Sequence, residues 1–151
     1  MVKVIAFNCS TKFMGWRSFF ARNYARLKEI GIDFQSVNCV RFVGWESFEH
    51  RLLKFILCHN IYEVNHNFKT EQAVNGSVCD VIDLDTMRIY EVETSSTRRR
   101  VDVKPKAFDH PLIEDVLIVD VRKLDFDWRP IKELCKRIRE AYGIVHRIRG
   151  I

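Results

Sequence analysis

Apolar and polar positions along this chain fall into blocks whose period changes from one to the next. Residues 2–7 (VKVIAF) form a short apolar run, the signature of a buried strand. From 15 to 30, Trp16, Phe19, Phe20, Tyr24 and Leu27 recur at helical spacing, and Gly31 follows as a stop. Residues 33–42 alternate loosely as a strand. Residues 45–58 predict a helix with Phe48, Leu52, Phe55 and Ile56 on one face. Residues 61–68 alternate as a strand, and Asn75-Gly76 marks a turn. Residues 78–84 and 88–94 form a hairpin around Asp85 and Thr86. Residues 95–111 lose periodicity and predict an extended, basic segment. Residues 113–121 predict another buried strand, and 128–142 a helix with Pro130 in its first turn and Gly143 at its end. Residues 144–151 are a short edge strand or a tail. The expected fold is α/β: a single domain over 1–151, a mixed central β-sheet flanked by helices, and an N-terminal strand-helix-strand.

The hairpin carries the chemistry. Asp80 stands near the start of its first strand, and Glu91 and Glu93 stand two apart on the second. Side chains at i and i+2 of a strand share a face, so the two glutamates project together and the hairpin brings Asp80 beside them. Carboxylates on otherwise apolar strands are costly unless something neutralises them. A divalent cation with oxygen ligands does so; so do basic side chains on an exposed face.

Charge sharpens this picture. The chain has 151 residues and a net charge of +5. Residues 1–60 sum to +5, residues 61–95 to −5, and residues 96–151 to +5. An acidic centre in a basic frame suits a phosphodiester: the frame holds phosphates and a metal sits at the centre. Ordinary solvated charge is the alternative. No apolar run reaches the ~18 residues of a membrane span, and the N-terminus has no signal-peptide pattern, so a cytoplasmic location is expected. Five cysteines without a CxxC pattern are expected as buried thiols, with a Cys9–Cys39 disulfide as the other option. No P-loop, GxGxxG or GxSxG is present, which leaves nucleotide, dinucleotide and serine-hydrolase chemistry without support.

The order helix, strand, hairpin with Asp then Glu-x-Glu, strand, helix resembles the restriction-endonuclease-like, or PD-(D/E)xK, nuclease superfamily over roughly residues 45–142. The wording IYEVETS, a basic stretch, then LIEDVLIVDVRKL also resembles small proteins of archaeal viruses and plasmids. The resemblance implies a restriction-endonuclease-like core and Mg²⁺-dependent (or Mn²⁺-dependent) hydrolysis of DNA, in the host cytoplasm if the source is viral. In that family an Asp and a strand Glu bind metal, matched here by Asp80 and Glu91. A helix Glu often joins them, matched by Glu49. A Lys two residues after the strand Glu positions the attacking water. Glu93 stands at that position here, as Glu does in some restriction endonucleases, and Cys79 stands where the family often has Pro. Members often act as dimers, which implies a homodimer. A catalytically inactive nucleic-acid-binding protein of the same fold is the alternative.

Other candidates lie around this set. Arg98, Arg99, Arg100 and Lys104 follow the Glu-x-Glu strand and are candidate clamps for DNA phosphates, or a solvated loop. Glu71 approaches the same centre or lies in a solvated loop. His66 is a candidate general base or phosphate contact, or a surface histidine. Lys69 is a candidate replacement for the Lys absent at position 93.

Overall fold

Asn75 and Gly76 reverse the chain with φ of 49° and 80°, the pair of left-handed residues that a two-residue hairpin loop requires. That loop joins β3 (Phe68–Val74) to β4 (Ser77–Asp83), and a second turn leads to β5 (Arg88–Glu93). In the second turn Asp83 Oδ1 accepts from the N–H groups of Asp85 (2.9 Å) and Thr86 (3.2 Å), and Met87 takes φ 56°. β6 (Asp115–Asp120) then adds parallel to β5, from Arg88↔Asp115 to Glu93↔Asp120. The result is a small α/β fold on a mixed four-stranded sheet of order β3-β4-β5-β6. The computed structural model describes residues 3–6 (backbone), 25, 27–32, 35–94 and 106–141.

A separate antiparallel pair, β1 (Lys3–Ala6) and β2 (Cys39–Phe42), lies beside β3. Side chains stitch this seam: Phe68 N–H donates to Asn38 Oδ1 (3.0 Å), and Arg41 N–H to Thr70 Oγ1 (2.8 Å). Helix α1 (Phe48–Glu63) is capped by Ser47, whose hydroxyl accepts from His50 N–H at 3.2 Å. Its last turn closes with Asn65 in the left-handed region (φ 64°), Asn65 N–H on Tyr62 O and His66 N–H on Ile61 O, a Schellman ending with Asn in place of Gly. Helix α2 (Arg129–Ala141) follows a short 3-10 turn, Val121–Lys123.

Two clusters cover the sheet. Leu27, Ile30, Ile32, Val74, Cys79, Ile82, Leu84, Ile89 and Phe108 pack on one face. Val40, Cys58, Ile61, Phe68 and Val81 pack on the α1 face, extended by Leu53, Val92 and Val121.

Several expectations change. The strand expected over 61–68 is the end of α1 followed by its cap, and the strand proper begins at Phe68. Of the strand expected over 33–42, residues 35–38 form turns and the strand is Cys39–Phe42, while 33–34 lie outside the described residues. The buried residues of α1 are His50, Leu53, Lys54, Cys58 and Ile61; Phe55 packs half-buried against the Val40–Cys58 cluster, Phe48 and Leu52 border a shallow hollow with it and Phe42, and Ile56 is exposed. The strand expected as buried over 113–121 is a half-exposed edge, because nothing among the described residues pairs beyond it. No helix among the described residues is long and apolar enough to cross a membrane. Cys58 and Cys79 are buried free thiols, and burial pushes both above the usual thiol range. Cys9 lies outside the described residues.

Candidate functional site

The site starts from a defect in the sheet. Thr70↔Val81 and Gln72↔Cys79 keep one register, but the step between them, Glu71 opposite Asp80, is not paired. Glu71 sits there at φ 51°, a conformation that costs a non-glycine residue on the order of 1 kcal/mol. One left-handed residue in a strand reverses which way the following side chains point. Phe68 and Val74 are six apart and would share a face in a regular strand, yet they belong to opposite clusters; so do Cys79 and Val81. The pleat therefore breaks at Glu71 and Asp80 together, and both carboxylates meet side chains of α1.

The β4–β5 ladder ends one step short of the same point, at Val81↔Tyr90. Carboxylates take over from backbone there. Asp80 N–H donates to Glu91 Oε1 at 2.9 Å, and Val92 N–H donates to Asp80 Oδ2 at 2.7 Å. Asp80 and Glu91 are thus direct neighbours, as the hairpin predicts.

From α1 come three residues that hydropathy places on no apolar face: Glu46 just before the helix, His50 and Lys54. Spaced by four, they form one stripe. His50 Nε2 lies 3.2 Å from Glu46 Oε1 and 3.2 Å from Asp80 Oδ1. Glu46 Oε2 accepts from Val43 N–H at 2.7 Å. The Lys54 ammonium is fully buried; it pairs with Glu46 and Glu71 and lies 3.5 Å from Arg41 O.

Burial raises the pKa of Asp80, but the His50 hydrogen bond and charge, Val92 N–H and the Lys54 charge outweigh it, so Asp80 lies below the usual aspartate range. Burial lowers that of Lys54, but Glu46 and Glu71 outweigh it and hold Lys54 above the usual lysine range. Burial pushes Glu71 above the usual glutamate range, with Asp80 and Glu46 adding to it and Lys54 opposing. Glu46, His50 and Asp80 each offer one ligand atom, all within 4.8 Å of one another.

The other expected residues lie elsewhere. Glu93 is buried at the far end of β5, where its charge acts on Arg122. Glu49 does not join the Asp80 group: Lys132 Nζ is 2.5 Å from its Oε1 and draws its pKa down. Glu49 borders an open hollow of about 530 Å³ with Thr94, Arg122, Phe126 and Trp128. His66 Nδ1 is 2.8 Å from Asp83 Oδ2, at the last residue of β4, three residues beyond Asp80. Lys69 is buried and pairs with Ile82 across β3–β4. Glu71 reaches the centre through Lys54. Arg98, Arg99, Arg100 and Lys104 lie outside the described residues.

Sequence reasoning passed over Glu46, His50 and Lys54. Their signal was the spacing E-x3-H-x3-K, in register with the buried Leu53, Cys58 and Ile61 rather than with the charged outer face. Compared with family models, curated proteins and solved structures, the chain matches none.

Proposed function

We propose that this chain is a divalent-metal-dependent nuclease that hydrolyses phosphodiester bonds of DNA, with its centre at Asp80. One observation carries the reading: a break shared by β3 and β4 brings Glu71 and Asp80 against the Glu46–His50–Lys54 stripe, with Glu91 on the Asp80 backbone. A 4.8 Å spread of ligand atoms fits a single ion with ligand distances of ~2.0–2.6 Å. Two carboxylates and an imidazole suit Mn²⁺ as well as Mg²⁺.

In this reading Asp80, Glu46 and His50 hold the ion. The helix carboxylate is Glu46 rather than Glu49, because Glu46 meets His50 while Glu49 meets Lys132. Glu91 fixes Asp80 through its backbone N–H. When bound, Mg²⁺ or Mn²⁺ neutralises phosphate charge and acidifies the attacking water. Phosphates of the substrate are held by the basic frame that includes Arg98, Arg99, Arg100 and Lys104, and a homodimer places two such centres for cutting both strands. The core is restriction-endonuclease-like, a reading supported by an antiparallel β3-β4-β5 meander followed by a parallel β6.

The test is cleavage of linear and branched DNA with and without Mg²⁺ or Mn²⁺, wild type beside Asp80→Ala. Metal-dependent cleavage by wild type alone supports the reading; equal cleavage by both, or none, removes it.

A second reading has its own observation. Lys54 and His50 already give Glu46, Glu71 and Asp80 cationic or hydrogen-bonding partners, so the cluster is stable without an ion. That favours a catalytically inactive DNA-binding module. Salt-sensitive DNA binding without cleavage under any metal would select it.

A further inference from the structure

We infer that Lys54, on the helix beside the centre, is a positioning residue for the Asp80 group that acts through Glu46 and Glu71. The inference rests on the nuclease reading above and adds a residue to it.

Lys54 lies in the second turn of α1, and its side chain is fully buried. Its ammonium has three N–H donors and faces three acceptors: the Glu46 and Glu71 carboxylates and Arg41 O. The first comes from the segment before α1, the second from β3 and the third from β2, so one ammonium ties together every element beside the centre except β4 and β5. Glu46 Oε1 is shared between Lys54 and His50, and His50 in turn touches Asp80. Lys54 therefore holds one of the three ligand groups, Glu46, directly, and bears on a second, His50, through the shared Glu46 oxygen. Its partner Glu71 is the residue in the left-handed conformation, so the strained step in β3 aims a carboxylate at this ammonium.

A buried ion pair is rarely the most stabilising choice, since apolar residues of similar volume often do as well or better. A lysine retained in such a place, beside a ligand cluster, is better explained by what its charge and hydrogen bonds do there.

The test separates positioning from charge balance. Lys54→Met removes the ammonium; Lys54→Met/Glu71→Met removes the cation and one of its acids together, so buried charge is again balanced. Thermal unfolding, Mn²⁺ binding by calorimetry without DNA, and kcat and KM for DNA cleavage are measured on wild type and both variants. The double variant is expected to recover stability relative to Lys54→Met, yet to remain roughly 10–100-fold below wild type in kcat or in Mn²⁺ affinity. Recovery of both with stability overturns the inference and leaves the nuclease reading standing. No Mn²⁺ binding and no cleavage by wild type overturns the nuclease reading and this inference with it. Where the methionine variants do not fold, Glu71→Gln decides: a drop of roughly 10-fold in kcat with KM unmoved supports the role, and an unchanged kcat overturns it.

Discussion

Neutralising Asp80 separates two kinds of acidic cluster. Acids gathered only for a metal repel one another, and replacing one by its amide then stabilises the metal-free fold. Asp80 is held otherwise: its pKa lies below the usual range because His50, Val92 N–H and Lys54 outweigh its burial. Asp80→Asn keeps an acceptor for Val92 N–H at 2.7 Å and presents an amide to His50 at 3.2 Å. Two charge-assisted hydrogen bonds become neutral ones, a loss of about 1 kcal/mol each. The expected destabilisation is about 1–2 kcal/mol at neutral pH, or roughly 3–8 °C in Tm for a chain of this size. The sign with pH follows from linkage. A carboxyl whose folded pKa is depressed stabilises above its unfolded value, about 3.9, and that contribution disappears as pH falls through the lower folded value. Glu71, raised by burial, works in the opposite sense, but it is present in both proteins and largely cancels in the difference. Urea unfolding followed by circular dichroism at pH 7 and at successive steps below pH 4 measures the gap. It should narrow as the pH falls. An Asn variant as stable as wild type at pH 7, or a gap independent of pH, would refute the account of how Asp80 is held.

Three further outcomes are expected. Glu46→Gln and His50→Asn should each weaken Mn²⁺ binding by roughly 10–100-fold, whereas Glu49→Gln should leave it unchanged and cost no more than about 1 kcal/mol, since its Lys132 partner is half exposed; calorimetry on the three variants checks this. Lys54 has a raised folded pKa, so its contribution is complete below its unfolded value of about 10.4 and is lost as pH rises through the folded one; wild type should lose more stability than Lys54→Met in unfolding titrations above pH 10. Gly31→Ala should destabilise by about 1–2 kcal/mol, because Gly31 sits at φ 86° and the added Cβ would meet Ala73 O at 3.2 Å; thermal unfolding measures it.

The hairpin was legible because most of it, the break at Asp80 apart, obeys simple periods. Two-residue spacing put Glu91 and Glu93 on one strand with Asp80 on its partner, and Asn75-Gly76 announced the turn that precedes β4 through residues that tolerate positive φ. Apolar spacing placed the start of α1 and both ends of α2 to within about three residues, while most of the helix expected over 15–30 lies outside the described residues. The end of α1 was misread because I-Y-E-V-N-H-N-F alternates by chance, and because Asn65 stops the helix where Gly is the usual signal. The edge exposure of β6 was hidden for another reason: DVLIVD has the apolar density of a central strand, and only pairing decides how much of it is covered.

The centre itself was half legible, and its missing half follows from one rule. Hydropathy reads a buried stripe as apolar, so Glu46, His50 and Lys54 were passed over, and the resemblance pointed to the nearby Glu49 as the helix carboxylate. They turn inward because each has a partner that neutralises or bonds it, and those partners arrive through the broken pleat. In a regular strand Glu71 and Asp80 would not both meet α1 while Phe68, Val74, Cys79 and Val81 remain buried. With the left-handed step at Glu71, four apolar side chains keep their burial and two carboxylates reach the helix. The strain at Glu71, the unpaired Glu71–Asp80 step, the early end of the β4–β5 ladder and the buried Lys54 are therefore one feature. A strand of that composition without the step would have to bury an acid against hydrocarbon, at a cost of several kcal/mol, well above the ~1 kcal/mol of one left-handed residue.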